Sequence, residues 1–118
     1  MTNRKIAGRF YIEDAYKSLA SDYTVSIDTI YDVSVTYNGN IMAFYINGEP
    51  INDDNYANNV IKPSNVPYVL GGNPGVSGGV AEKFYGKIYS AKIYNKALSV
   101  DEVKHNYLID KAKYGIEE

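Results

Sequence analysis

The stretch that decides the fold is Phe84-Tyr-Gly-Lys-Ile-Tyr-Ser-Ala-Lys-Ile-Tyr-Asn-Lys-Ala-Leu-Ser-Val-Asp-Glu-Val-Lys-His-Asn-Tyr107. Its first half is rich in aromatic and β-branched residues, which favour strands. We therefore predict a last long strand over residues 84–94. The apolar positions change parity after Ile88, and this slip predicts a β-bulge near Tyr89 and Ser90.

The second half of the same stretch carries a helix start signal. Ser99-Val-Asp-Glu102 has the spacing of a capping box, in which the hydroxyl and the carboxylate each satisfy an orphan amide. One helix over about residues 100–113 is predicted. Its inward-facing residues would be Val103, Tyr107 and Ile109, and Gly115 suits the C-terminal cap.

A hairpin pattern lies upstream of this stretch. Val33, Val35 and Tyr37 alternate with polar residues before Asn38-Gly39-Asn40, and Met42, Phe44 and Ile46 take every second position after it, up to Asn47-Gly48. Asn and Gly tolerate the positive φ that tight turns require. The pattern predicts a β-hairpin from about Tyr31 to Ile46.

The remaining segments are predicted from strand formers and turn formers. The predicted strands are Lys5–Ile12, an alternating run over Tyr23–Asp28, and Tyr68–Leu70. The predicted loops are residues 13–22, the Asn- and Asp-rich residues 52–59, and the glycine-rich residues 71–79.

Composition limits the function. The 118 residues, 45% hydrophobic and 22% charged, fit one domain, residues 1–118, with one core. The net charge is −2 and no basic stripe exists, which argues against nucleic acid as a partner. There is no cysteine, no apolar run long enough to insert in a membrane, and no signal-peptide core in this sequence. Redox chemistry of thiols is excluded.

The stretch 84–107 resembles the closing signature of the concanavalin A-like lectin/glucanase (laminin-G-like) jelly-roll family, and residues 33–48 are similar to that family's central hairpin. The resemblance implies an all-β fold, an antiparallel β-sandwich with one C-terminal helix. It covers about residues 8–115 but matches the later part of a family domain. Three interpretations follow: a compact variant sandwich, a homo-oligomer that completes the sheets, or a chain embedded in a larger assembly.

The ending Ile93-Tyr-Asn-Lys-Ala-Leu98 of this chain resembles the ending found in modules of bacterial surface proteins and in phage structural proteins. The resemblance implies a non-catalytic binding or structural module, a virion or cell-surface component that contacts glycans or neighbouring proteins. The alternative is a carbohydrate-binding module excised from a larger surface protein or glycoside hydrolase. Catalysis by this chain is not expected, because glycosidases need paired carboxylates on one face and Glu13-Asp14 are adjacent. The lone His105 has no cysteine or serine–acid arrangement to join.

Two candidate sites follow from loop composition. Sugar binding needs an aromatic platform and polar groups for hydroxyls, and Tyr56, Asn73 and Tyr85 are the candidates in or beside loops. Asp53, Asp54 and Asn55 offer the hard oxygen ligands that calcium prefers, so calcium is the candidate cofactor. The competing interpretations are strand-packed rings and a solvated turn, respectively.

Overall fold

The computed structural model describes residues 5–12, 15–55, 61, 70–74, 80–81 and 84–117. The chain divides into two compact units. Unit 1 is formed by Met1–Lys62 together with Tyr94–Glu118, and unit 2 by Pro63–Ile93. The elements in chain order are β1 (Lys5–Ile12), β2 (Ala15–Thr24), β3 (Val33–Tyr37), β4 (Ile41–Ile46), β5 (Glu49–Asn55), β6 (Asn73–Pro74), β7 (Val80–Ala81) and α1 (Val100–Tyr114).

Strands β1 and β2 form an antiparallel hairpin, with Ile12 opposite Ala15 and a register irregularity between Lys5 and Ala7. The strand prediction for β1 is confirmed. The loop prediction for residues 13–22 is wrong from Ala15 onward, and residues 13–14 lie outside the described residues. Residues of mixed polarity join β2 because pairing with β1 satisfies their backbone donors and acceptors.

The strand predicted over Tyr23–Asp28 is correct only to Thr24, where β2 ends. Asp28 adopts a positive φ of 55°, and Ile27 is 66% exposed. The alternation of Val25 and Ile27 is therefore not an inward face. A left-handed residue and the turn that it makes interrupt the strand, whatever the alternation of the side chains.

Strands β3 and β4 form the predicted hairpin, with Val33 opposite Ile46 and Tyr37 opposite Met42. Its turn is held by Asn38, whose Oδ1 accepts hydrogen bonds from the backbone N–H groups of Asn40 (2.8 Å) and Ile41 (2.7 Å). This is the side-chain-to-backbone bonding for which Asn is favoured in turns.

A second turn, at Asn47 and Gly48, leads into β5, which pairs with β4 at the edge of a three-stranded antiparallel sheet. Both turn residues have positive φ, 51° and 75°. The loop predicted over residues 52–59 is wrong as far as Asn55, and residues 56–59 lie outside the description. An edge strand tolerates this polar composition because one side of it stays in contact with water.

A buried cluster of unit 1 lies on one face of this sheet. Met42, Phe44 and Ile46 alternate along β4 and are buried to 2% exposure or less. Partly buried Tyr31, Val35, Tyr37 and Ile51 pack against them. The period of two in the sequence therefore identified the core-facing residues of β4 correctly.

Helix α1 begins and ends as predicted. Ser99 is the N-cap of a complete capping box, and Gly115 caps the C-terminus at φ 67°. Val103 and Tyr107 are buried as predicted, but Ile109 is 51% exposed. Two residues past Tyr107, a helix has turned by about 200°, which places Ile109 away from the buried stripe.

Unit 2 is described only in part. β6 and β7 pair antiparallel, and residues 84–93 contain no strand. The strand predicted over residues 84–94 and its bulge near Tyr89 and Ser90 are therefore wrong for this structure. Pairing requires a partner backbone, and none of the described strands supplies one for this segment. Leu70 is not in a strand, contrary to the strand predicted over Tyr68–Leu70, and Asn73–Pro74 forms β6, contrary to the loop predicted over residues 71–79. Residues 68–69 and 75–79 lie outside the description.

Candidate functional site

A groove of about 360 Å³ opens beside the first two turns of α1, within unit 1. The chain before the helix contributes Tyr94, Lys96 and Leu98 to it, and the helix contributes Asp101, Glu102, His105 and Asn106. We call it the Tyr94 groove. Its volume lies at the lower end of small-ligand sites, which span about 300–1,000 Å³.

The helix wall of the groove follows from helical spacing. Asp101 and His105 are four residues apart, as are Glu102 and Asn106, so these pairs lie along one side of the helix. That side adjoins the buried stripe of Val103. Packing of the stripe therefore fixes which side of α1 faces the groove.

The opposite wall is tied to the helix through one carboxylate. Glu102 Oε1 accepts a hydrogen bond from the Ser99 backbone N–H at 3.0 Å, and Oε2 accepts one from Lys96 Nζ at 2.8 Å. The Ser99 hydroxyl in turn accepts from the Glu102 backbone N–H at 3.1 Å. The Lys96 hydrogen bond, followed by the one from Ser99, lowers the pKa of Glu102 below its usual 4.5.

An aromatic ring and an amide meet at the far end of the groove. Asn106 Nδ2 donates a hydrogen bond to Tyr94 Oη at 3.3 Å. The Tyr94 side chain is 47% exposed, so part of its ring is open to solvent. A ring with an adjacent amide can stack on an apolar surface and exchange hydrogen bonds with hydroxyls at once.

The groove carries little positive charge. Its lysine, Lys96, is paired with Glu102, and a second carboxylate, Asp101, lies exposed on the helix. Asp101 and His105 make no side-chain hydrogen bond to another residue within the described part of the chain. The groove therefore offers both hydrogen-bond donors and acceptors without a free ammonium group.

The residues predicted for sugar binding lie elsewhere. Tyr85 is 92% exposed, in unit 2. Asn73 belongs to β6, and a hydrogen bond from Phe84 N to Gly71 O (2.7 Å) brings the chain before Tyr85 to the chain before Asn73. Tyr56 lies outside the described residues. Convergence of these three side chains stays a prediction.

The residues predicted for calcium lie on β5, where Asp53 is opposite Ala43, Asp54 opposite Met42 and Asn55 opposite Ile41. Asp53 N donates to Asn52 Oδ1 at 2.9 Å. Within the described part of the chain, no three acidic or histidine side chains gather as a metal site. The side chains of Asp54 and Asn55 lie outside that description, so the calcium site stays a prediction.

Sequence reasoning missed Tyr94 and Asn106 as site residues. The signal available was the run of polar residues four apart on the first turns of a helix whose N-cap was already identified. The sequence did not reveal that residues 94–98 lie beside the first turns of that helix.

Among the described helices, none has the length and apolar character to cross a bilayer.

Comparison with known proteins supports the fold. The family model Laminin_G_3, described as concanavalin A-like lectin/glucanases superfamily, matches residues 2–104. The crystal structure of an S-layer domain-containing protein from Clostridium thermocellum matches with a TM-score of 0.52 and 23% identity. The match covers 78% of this chain and 45% of that structure, so the chain spans less than half of it. A comparison with curated protein sequences finds no match.

Proposed function

Because the chain belongs to the concanavalin A-like lectin/glucanases superfamily, we propose that it is a non-catalytic module that binds a glycan at a cell surface. Its jelly-roll family membership and mostly β structure with one C-terminal helix agree with the sequence prediction. The observation that carries the proposal is the exposed Tyr94 ring with the Asn106 amide beside it. This combination suits the apolar face and the hydroxyls of a sugar.

The absence of catalysis is proposed from the state of Glu102. Asp101 and Glu102 both line the groove, so a carboxylate pair is present. A glycosidase needs one of the pair to remain protonated as a general acid, which requires a raised pKa. The pKa of Glu102 is lowered instead, and both of its oxygens already accept hydrogen bonds, which argues against Glu102 as that general acid.

The surface location is proposed from the family and from the structural neighbour, an S-layer domain-containing protein. The virion location and the excised carbohydrate-binding module remain alternatives with the same binding chemistry. Both alternatives differ from the proposal in the larger protein or particle that surrounds the chain.

The test is a glycan array with the purified 118-residue chain, followed by a reducing-sugar assay on every glycan that it retains. The proposal expects binding without release of reducing ends. A Glu102→Gln variant serves as the catalytic control, because it keeps the side-chain shape and removes the ionisable carboxyl. Sugar release by the wild-type chain that is lost in Glu102→Gln would show an enzyme, and no retained glycan would exclude the glycan-binding function.

A second candidate function is assembly with neighbouring proteins, and one observation favours it. Five large apolar side chains of unit 2 are exposed within ten residues: Phe84, Tyr85, Ile88, Tyr89 and Ile93. Exposed apolar surface of this density commonly marks an interface. Light scattering measures the solution mass of the chain. A defined oligomer that Ile93→Asp dissociates supports assembly, and a monomer leaves glycan binding as the function.

A further inference from the structure

The Tyr94 groove has a surface on which a sugar ring can stack. The ring of Tyr94 is partly exposed, and Leu98, which lines the same groove, is half-buried. A pyranose presents a face of C–H groups that gains free energy when an aromatic ring covers it. The groove volume of about 360 Å³ suits one or two sugar rings rather than a long chain.

The polar groups in the groove match hydroxyls. Asn106 uses one N–H on Tyr94, which leaves its second N–H as a donor and its carbonyl oxygen as an acceptor. The carboxylate of Asp101 only accepts, and the ring nitrogens of His105 add to the mixed set. Hydroxyl groups both donate and accept, so a sugar can satisfy all of these groups.

The charges in the groove disfavour an acidic sugar. The ammonium of Lys96 is held 2.8 Å from Glu102 and is already neutralised by it. Asp101 adds a second carboxylate, and no ion pair among the described residues balances it. An anionic ligand would therefore meet net negative charge, and the repulsion is attenuated but not abolished by salt.

Hydrogen bonds and an ion pair also tie the two walls of the groove together in the absence of a ligand. Three contacts fasten residues 94–99 to α1: Tyr94 with Asn106, Lys96 with Glu102, and the Ser99 capping box. A site whose walls are already fixed loses less conformational entropy on binding.

Resting on the proposed glycan-binding function, we infer that the Tyr94 groove is a subsite for a neutral sugar, in which the sugar ring stacks on Tyr94 and Asp101 disfavours acidic sugars. Tyr94 and Asn106 are the contact residues, and Asp101 determines specificity. The Lys96–Glu102 pair positions the wall.

The test is an NMR titration of the 15N-labelled chain with glucose, galactose, mannose and N-acetylglucosamine, and with glucuronic acid as the acidic counterpart of glucose. Shifts in the amides of residues 94–106 are expected with at least one neutral sugar. Tyr94→Ala should weaken that binding about tenfold, which corresponds to about 1.4 kcal/mol. Leu108→Ala, which removes a side chain of α1 that is 51% exposed and does not line the groove, should leave it unchanged, and Tyr85→Ala tests the site predicted from sequence.

The role of Asp101 in specificity is tested by a substitution that removes its charge and keeps the shape of its side chain. The wild-type chain should bind glucuronic acid about fivefold more weakly than glucose, a ratio expected for a screened repulsion between partly exposed charges. Asp101→Asn should bring the two affinities together while the glucose affinity stays within about twofold. An unchanged ratio in Asp101→Asn would overturn the role of Asp101.

The outcomes separate the inference from the proposed function. Binding that survives Tyr94→Ala and is lost in Tyr85→Ala would place the sugar at the residues predicted from sequence, so glycan binding would stand and the groove assignment would fail. No shift with any sugar, together with an empty glycan array, would remove both. Thermal unfolding of each variant checks that it is folded before it is titrated.

Discussion

Gly48 lies where helix α1 meets the turn between β4 and β5, and its replacement by alanine tests that packing. Gly48 has φ +75°, and a Cβ placed on it would lie 2.8 Å from Tyr107 Cδ2 and 3.0 Å from Tyr107 Cβ. Tyr107 is 1% exposed, so its ring has little room to retreat. The change therefore forces either the turn or the helix to shift.

The expected cost has two parts. A side chain at positive φ costs about 1–2 kcal/mol. Overpacking against a buried ring adds about 1–3 kcal/mol. Gly48→Ala should therefore destabilise the protein by about 2–5 kcal/mol, measured as the free energy of unfolding in urea from the midpoint and slope of the transition.

Gly115 provides a matched control. It also has positive φ, +67°, but a Cβ placed on it meets nothing within 4 Å. Gly115→Ala should cost about 1–2 kcal/mol from backbone strain alone, and the loss of backbone freedom in the unfolded chain is common to both variants. Equal costs for Gly48→Ala and Gly115→Ala would refute the packing of Tyr107 against the turn.

Three further predictions follow from other parts of unit 1. Phe44→Ala empties the centre of the core and should cost about 3–5 kcal/mol in urea unfolding, whereas a loss below about 1 kcal/mol would contradict its burial. Ser99→Ala removes the helix N-cap and should cost about 1 kcal/mol, with Ser99→Asp as the variant that retains the cap. Because the folded pKa of Glu102 is lowered, its contribution to stability is present above pH 4.5 and is lost as the pH falls through that folded pKa. The acid limb of a stability–pH curve should accordingly be shallower in Lys96→Met than in the wild type, and superimposable curves would argue against the Lys96–Glu102 pair.

The parts of the fold that the sequence predicted are those set by local chemistry. The Ser99 capping box, the Asn38 turn and the Gly115 cap each depend on residues within five positions of one another. Their side-chain and backbone preferences act whatever the rest of the chain does. The alternation along β4 predicted its buried face for the same reason.

The parts that failed depend on the backbone of another strand, or lie where the described strands supply no such partner. Ala15–Thr24 is a strand because β1 pairs with it, and Glu49–Asn55 is a strand because β4 does. Neither segment has the composition of a strand. Residues 84–93 have that composition and contain no strand, since a strand former still needs a neighbouring backbone.

The candidate site shows the same division. The helix wall of the Tyr94 groove could be derived from the capping box and the spacing of Asp101 and His105. The position of Tyr94 beside Asn106 could not, because it depends on the path of residues 94–98. Composition alone instead favoured Tyr56, Asn73 and Tyr85, which are aromatic and amide residues in or beside predicted loops.

The most direct test of the Tyr94 groove as the sugar site is a crystal structure of the chain grown with the neutral oligosaccharide that the glycan array selects. We expect a sugar ring stacked on Tyr94, with hydroxyls in hydrogen-bonding distance of Asn106. A sugar bound at Tyr85, or anywhere outside the Tyr94 groove, would contradict it.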